Sequence, residues 1–318
     1  MVVRTSHRLL LARKEASYGT GEDLVGTDGI FARTFEINPF VATSVERQFL
    51  RGYMGNYQTL LLNRTVELTI ECELAGSGTK GTPPNMSPLL VACGLTQTLK
   101  PAEEAAEAAD EVIYTPRSSG YEGCTVFFYQ EQNLQKVVGC RGTFEISANA
   151  GEIPTITFTL LGFYADPGND TVPTDVSTSN VGDPLVFNGT NTTAQQFFQK
   201  QLNVQTFTFA QNNEYRYREL ITRPKEVLIT DRKPNGTLVC EMPLQSSNPL
   251  FSNLSYKETD NNTWQHGKDE GNIVVFSAPQ TAMTGITYSD DGNIQMANIT
   301  YNALPSDAGD DDYSLTFK

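Results

Sequence analysis

Two histidines, five cysteines and a set of closely spaced glutamates are the side chains through which this 318-residue chain could do chemistry. His7 sits in a basic N-terminal stretch and His266 in a polar run that reads as a loop, so neither a zinc site nor a Cys-His nucleophile pair is expected. Cys72, Cys93, Cys124, Cys140 and Cys240 are odd in number and lack C-x-x-C spacing. Four of the five fall in apolar or alternating runs, the pattern of buried reduced thiols. The glutamates are more suggestive. Two carboxylates flanking a sugar can make a glycosidase when one is held protonated. Glu67, Glu71 and Glu73 instead share one alternating segment with no aromatic platform tied to it. There is no Gly-x-Ser-x-Gly elbow, P-loop or dinucleotide fingerprint, and Gly76-Ser-Gly78 has neither the spacing nor the context of one. No catalytic residue, cofactor or metal is expected. The Asp307–Asp312 stretch reads as a solvated loop, because it lacks the alternating ligands and distal Glu of a calcium loop.

The element that must position those glutamates is the stretch Thr65 to Leu74. Val66, Leu68, Ile70, Cys72 and Leu74 fall on one face of a strand, and Glu67, Thr69, Glu71 and Glu73 on the other. Period-two alternation recurs at Phe35 to Phe40, Thr125 to Gln130, Lys136 to Gly139, Gly142 to Asn149 and Thr155 to Tyr164, with turns at Asn133 and Ala150-Gly-Glu152. It returns at Leu202 to Ala210, Tyr215 to Arg218, Glu226 to Thr230, Gly236 to Met242, Asn272 to Ser277, Thr284 to Ser289, Asn293 to Tyr301 and Tyr313 to Lys318. That last strand could complete a sheet in its own subunit or in a neighbour. Met86 to Cys93 reads as a short apolar helix with Ser87 as N-cap, Pro88 at the first helical position and Gly94 just past the end. Glu103 to Glu111 is either a brief exposed helix or a loop.

Composition adds bounds. With 39% hydrophobic and 10% aromatic residues the chain folds, and 37 acidic against 23 basic residues give a net charge of −14. No Lys/Arg stripe offers itself to nucleic acid, so specific DNA binding is not expected. The apolar run Leu9 to Ala12 is too short for a signal segment and nothing approaches a membrane span, which points to synthesis in the cytosol and no membrane partner.

The Pro, Gly, Asn and Asp-rich stretch after Tyr164 divides the chain into an N-terminal arm (1–29), a first β domain (30–165), a linker (166–200) and a second β domain (201–318). The two halves follow one plan. An aromatic strand leads through a charged stretch (Glu46, Arg47, Arg51; Glu214, Arg216, Arg218) to TVELTIECEL in one and GTLVCEM in the other. The helix MSPLLVACG is matched by SSNPLFSNL. Gly123 to Tyr129 with Gly142 to Ile146 then resembles Gly271 to Phe276 with Gly285 to Tyr288. Internal duplication is the reading, with chance likeness between two β meanders as the alternative.

Residues 9–165 resemble the tube-forming major tail protein of phages with long non-contractile tails. The likeness lies in Leu10-Leu-Ala-Arg-Lys-Glu-Ala-Ser-Tyr-Gly-Thr20, Val45-Glu-Arg47 with Gly52-Tyr-Met-Gly55, and Val66 to Gly78. It continues in Pro88 to Gly94, Arg141-Gly-Thr-Phe144 and Pro154-Thr-Ile-Thr-Phe158. The resemblance implies a mainly β fold, a tail-tube-type β-sandwich or barrel with a short flanking helix, assembled into rings stacked around a DNA channel. It implies a homo-oligomer in the virion tail, built on a tape-measure protein from a tail-tip or distal tail initiator and closed by a tail terminator. DNA would pass through without specific binding. Most members of that family form hexameric rings; two domains in one chain favour a trimeric, pseudo-hexameric ring here.

Under that resemblance Glu67, Glu71, Glu73 and Glu145 become candidate lumen-facing carboxylates, since a wide aqueous bore screens like charges and a negative wall lets phosphates slide. Glu36 and Glu241 are further candidates, and an ordinary solvated strand face is the alternative. Arg8, Arg13 and Lys14 of the arm, and Gly76, Ser77, Gly78, Thr79 and Lys80 of the loop before the helix, are candidate inter-ring contacts. Three rival functions follow from other readings: a receptor- or glycan-binding β module, the inner tube of a contractile injection device, and a secreted polysaccharide hydrolase.

Overall fold

The computed structural model describes residues 7–100, 110–177, 180–246, 250–251, 254 and 260–318. The first half folds as β1 (Arg8–Lys14), β2 (Ala32–Glu46), β3 (Thr59–Glu73), helix α1 (Ser87–Ala92), β4 (Leu95–Lys100), β5 (Glu111–Pro116), β6 (Cys124–Gln130), β7 (Asn133–Asn149), β8 (Thr155–Phe163) and β9 (Gly168–Asn169). The second follows as β10 (Thr192–Phe197), β11 (Val204–Ala210), β12 (Asn213–Leu220), β13 (Arg223–Arg232), β14 (Asn235–Glu241), β15 (Asp260–His266), β16 (Val274–Asp291), β17 (Ile294–Ala303) and β18 (Ser314–Phe317).

One strand order occurs twice. The first half is arranged β2-β3-β8-β7-β6-β1 and the second β11-β14-β17-β16-β15-β10. Between the first two strands of each order lies a hairpin: the distal ends of β2 and β3 in one, β12 and β13 in the other. The halves join where β7 pairs with β11, so that Phe207 faces Ala148 and Phe209 faces Ile146. A single sheet thus runs β2-β3-β8-β7-β11-β14-β17-β16.

Long bent strands turn this sheet into a sandwich. β7 pairs with β6 along its first part and with β8 along its second, with a bulge between Val138 and Arg141 where Gly139 adopts φ +65°. Such a bulge lets one strand serve two layers. Across the layers, Phe35 on β2 meets Phe128 on β6 at 4.4 Å, Phe207 meets Trp264 at 5.5 Å, and Phe209 meets Phe276 at 4.8 Å. Phe128, Phe207, Trp264, Phe209 and Phe276 belong to one buried cluster that takes in both halves, with half-buried Phe35 packed against it. Helix α1 buries Leu89, Leu90, Val91 and Ala92 in it. Its cap falls one residue earlier than the sequence suggests, at Met86, because the Ser87 hydroxyl is engaged by Gln97 and Tyr114 instead. All five cysteines are free and buried; burial, with Glu71 and Glu73 nearby, pushes the Cys72 thiol up to about 12.

Several segments differ from the sequence reading. The apolar run of the expected N-terminal arm is strand β1, paired with β6, because both of its faces are buried: Leu10 and Ala12 in the main core, Leu11 against Leu24, Phe127 and Tyr129. The end of the expected linker forms β10, which pairs with β15. His266, expected in a loop, lies buried on β15. The final strand is settled within the chain, between β16 and β5. Of Glu103 to Glu111, only Asp110 and Glu111 are among the described residues; SSNPLFSNL likewise lies mostly outside them.

His266 carries a pH dependence. Its Nδ1 lies 3.1 Å from Thr192 Oγ1 and its Nε2 3.1 Å from the Leu185 carbonyl, and burial pulls its pKa below 6.5. The unfolded chain therefore takes up a proton before the folded one does, and stability falls as pH drops below about 6.5. Chemical denaturation from pH 8 to 5 should show that slope, and His266→Gln should flatten it; an unchanged slope would remove His266 from the account.

Candidate functional site

The shared sheet has one apolar and one polar face. Row by row across the strands, the outward positions read Thr34, Glu71, Thr157, Glu145 and then Glu73, Thr155, Ser147, Thr208, Thr237, Thr300. Neither of these two rows contains a Lys or Arg; the row of Glu67 does, running from Asn38 and Glu67 through Leu161 to Arg141, which lies buried under the β12–β13 hairpin. Strand alternation produces this face: Val66, Leu68, Ile70 and Cys72, or Phe207 and Phe209, point into the core, so their neighbours must point out. The carboxylates are fixed by neutral donors. Thr34 donates its hydroxyl proton to Glu71 (2.6 Å), Asn38 donates to Glu67 (3.4 Å) and Asn203 to Glu241 (2.7 Å). Thr208 and Thr237 hydroxyls bond each other at 2.7 Å. Glu67 and Glu145 are exposed, Glu71 and Glu73 half-buried. The candidate carboxylates Glu67, Glu71, Glu73 and Glu145 therefore lie on one surface, together with Glu36 and Glu241.

Both ends of this sheet are bare. Among the described residues, the outer edge of β2 and the 285–291 part of β16 have a strand on one side only. Beyond the β2 edge the distal hairpin exposes Val45, Phe49, Leu50, Tyr53, Met54, Leu60, Leu61 and Leu62. Among the described residues no group of His, Cys, Asp or Glu is arranged to hold a metal ion, and no helix is long and apolar enough to cross a membrane.

In comparison with known families, the model for phage tail tube proteins matches residues 5–316. The chain belongs to the phage tail tube protein family. No curated protein matches it. As a tail tube protein it is a structural component of the phage tail, and the match spans both halves, whereas the sequence likeness rested on residues 9–165.

The inter-ring candidates are placed less freely than their sequence suggested. In this tail tube protein Arg13 pairs with Asp28 (2.7 Å) and Lys14 with Glu122 (2.6 Å), both within the chain. Arg8 begins β1, opposite Gln130. The glycine loop staples the two halves together. Gly76 N–H donates to Asn272 Oδ1 (2.9 Å), Gly78 N–H to the Gly271 carbonyl (3.0 Å), and Lys80 pairs with Glu270 (3.3 Å). A Cβ on Gly76 would lie 2.2 Å from the Gly271 oxygen, which explains the glycine. Ser77 is buried with its hydroxyl on the Thr79 carbonyl, leaving Gly78 and Thr79 as the exposed members.

Sequence reasoning missed how the β12–β13 hairpin is held. It lies over the first half, where buried Arg141 donates to the carbonyls of Val227 (2.8 Å), Glu122 (3.2 Å) and Tyr121 and stacks 3.6 Å from the Tyr18 ring. Tyr18 accepts the Val227 N–H (2.7 Å) and donates to the Gly139 carbonyl (3.0 Å). The Arg141-Gly-Thr-Phe144 signature was visible in the sequence, but not the hairpin it clamps.

Proposed function

We propose that this tail tube protein self-assembles into stacked rings whose polar sheet face lines the channel through which DNA leaves the virion. The observation that carries this reading is the eight-strand sheet β2-β3-β8-β7-β11-β14-β17-β16, polar and acidic on one face and unsealed at both ends. Sheets joined edge to edge around a ring remove those ends. Two copies of one strand order per chain favour a trimeric, pseudo-hexameric ring. With strands ~4.8 Å apart and tilted by ~40°, about twenty-four strands would make a wall roughly 150 Å around and ~50 Å across, an open water-filled bore. DNA then meets threonine hydroxyls and carboxylates, which offer phosphates no countercharge. Rings would stack along a tape-measure protein between a tail-tip initiator and a tail terminator, after synthesis in the host cytoplasm.

Negative-stain microscopy of the purified protein tests this. Hollow filaments or rings of uniform bore are expected, and a protein that stays monomeric at every concentration and salt tried would sink the reading.

A further inference from the structure

The joint inside the chain is a template for the joint between chains. At the internal joint, the second half's first sheet strand, β11, lies against the second part of β7. Its counterpart in the first half is β2, and the counterpart of β7 is β16. These are the two bare edges. Register carries over residue by residue. Phe35 faces Ile70, which faces Phe158, which faces Phe144; in the second half Phe207 faces Leu238, then Ile299, then Ile286. Phe35 therefore corresponds to Phe207, and Phe144 to Ile286. Since Thr208 faces Ser147 within the chain, Glu36 should face Ser289 of a second copy, with Ile37 opposite Tyr288 and Phe35 opposite Asp290.

The burial of matching positions supports this. Phe207, Phe209, Ile146 and Ala148 at the internal joint are all 0% exposed. At the bare edges Phe35, Ile37 and Ile286 are only partly buried, and Tyr288 is 53% exposed. Apolar side chains sit where a neighbour would cover them. Near the end of the seam exposed Arg33 would come beside exposed Asp291, which this register sets opposite Thr34, while Asp290 falls opposite Phe35 at the place Ala148 takes in the internal joint.

The hairpins repeat the logic. β12–β13 lies over the first half through Tyr217 on Phe163 (6.1 Å) and the Arg141 clamp. The hairpin of the first half has no such bed in its own chain among the described residues, and Leu60, Leu61 and Leu62 on it are 45–53% exposed.

We infer that the β2 edge of one chain pairs antiparallel with the 285–291 part of β16 of a second copy of this chain, Glu36 opposite Ser289, and that the 41–62 hairpin lies across that copy's second half. This is a head-to-tail interface, which closes into a ring or runs on as a helix. It rests on the tube reading and adds to it which edges meet and in what register.

The test is cysteine cross-linking in assembled material, since the native thiols are buried. Glu36→Cys with Ser289→Cys should give disulfide-linked oligomers on mild oxidation, about tenfold more than the register-shifted pair Glu36→Cys with Asp291→Cys, because a disulfide needs Cα atoms within ~7 Å. Single variants should give none. Tyr288→Arg, at an exposed site, should keep the far-ultraviolet spectrum of the folded chain and lose assembly. Tubes that form without the Glu36 and Ser289 link, or with the shifted pair linking as well, would overturn the proposed seam and leave the tube reading standing. A chain that forms neither tubes nor links would overturn both.

Discussion

Phage carrying Glu67→Lys, Glu71→Lys and Glu145→Lys together are expected to build tails of normal length and to deliver DNA poorly, with titre reduced by about a hundredfold or more at physiological salt. All three glutamates occupy the polar face of the shared sheet, Glu71 and Glu145 on either side of Thr157. None is in an ion pair among the described residues, so reversal disturbs the fold little. In the channel the sign matters more. A Lys ammonium ~4 Å from a phosphate gains about 1 kcal/mol in water, and roughly three such contacts slow a step about a hundredfold. Repeated around every ring of the proposed tube, they would hold DNA that an acidic wall would release. Raising salt should restore ejection in vitro, because the screening length falls from ~8 Å at 0.15 M to ~3 Å at 1 M. The matching Glu→Gln triple variant, which removes charge without adding cations, should have a far smaller effect. Normal ejection from well-formed triple-Lys tails would mean that this face does not line the path, and loss of tails altogether would place it in a subunit contact.

Most strands with an alternating apolar inner row were legible in the sequence; β1, whose apolar run was read as part of an arm, and β5, with Val112 and Tyr114 inward, were not, and neither was β15 with its polar inner row. Thr65 to Leu74 alternates because its inward side is Val66, Leu68, Ile70 and Cys72, and all of it but Leu74 lies within β3. β15 was invisible because its inward side is Asp260, Asn262, Trp264 and His266. Partners meet several of these polar groups, such as the Phe198 N–H on Asn262 Oδ1 and the Leu185 carbonyl on His266, though Asn262 Nδ2 is buried without one, and no local pattern announces such partners. That concealment also shifts the match between halves: the sequence sets Gly123 to Tyr129 against Gly271 to Phe276, whereas in the strand order β6 corresponds to β15 and β7 to β16. The acidic row could be read from one strand alone. Its extension through Thr157, Thr208, Thr237 and Thr300 could not, because threonine on a strand signals only strand. The bare edges are properties of pairing over long chain distances, to which composition and period are blind.

The second large effect is expected at Arg232, where the Asp307–Asp312 stretch does structural work that its sequence conceals. Arg232 ends β13 with its side chain only 13% exposed, and its Nε donates to Asp312 Oδ2 at 2.8 Å. Its other nitrogens reach Asp310 Oδ1 (3.3 Å) and the Arg117 carbonyl (3.1 Å), while Asp310 also accepts the Ser118 N–H at 3.1 Å. One guanidinium thereby ties the β12–β13 hairpin, the turn after β5 and the approach to β18. Burial is the largest single influence and works against charge on Arg232, but the bonds and charge of Asp312, with Tyr313 and Asp310, together outweigh it and the pKa rises. Arg232→Ala would strand buried Asp312 without its cation, a loss of about 3–5 kcal/mol and roughly 10 °C in Tm. Arg232→Leu with Asp312→Leu should recover much of that, since two apolar groups leave no orphaned charge. Denaturant unfolding of the single and double variants checks it. A loss under about 1 kcal/mol for Arg232→Ala would reduce the cluster to an ordinary surface pair. A large loss that the double variant does not relieve would instead trace the effect to the guanidinium's packing and its bond to the Arg117 carbonyl.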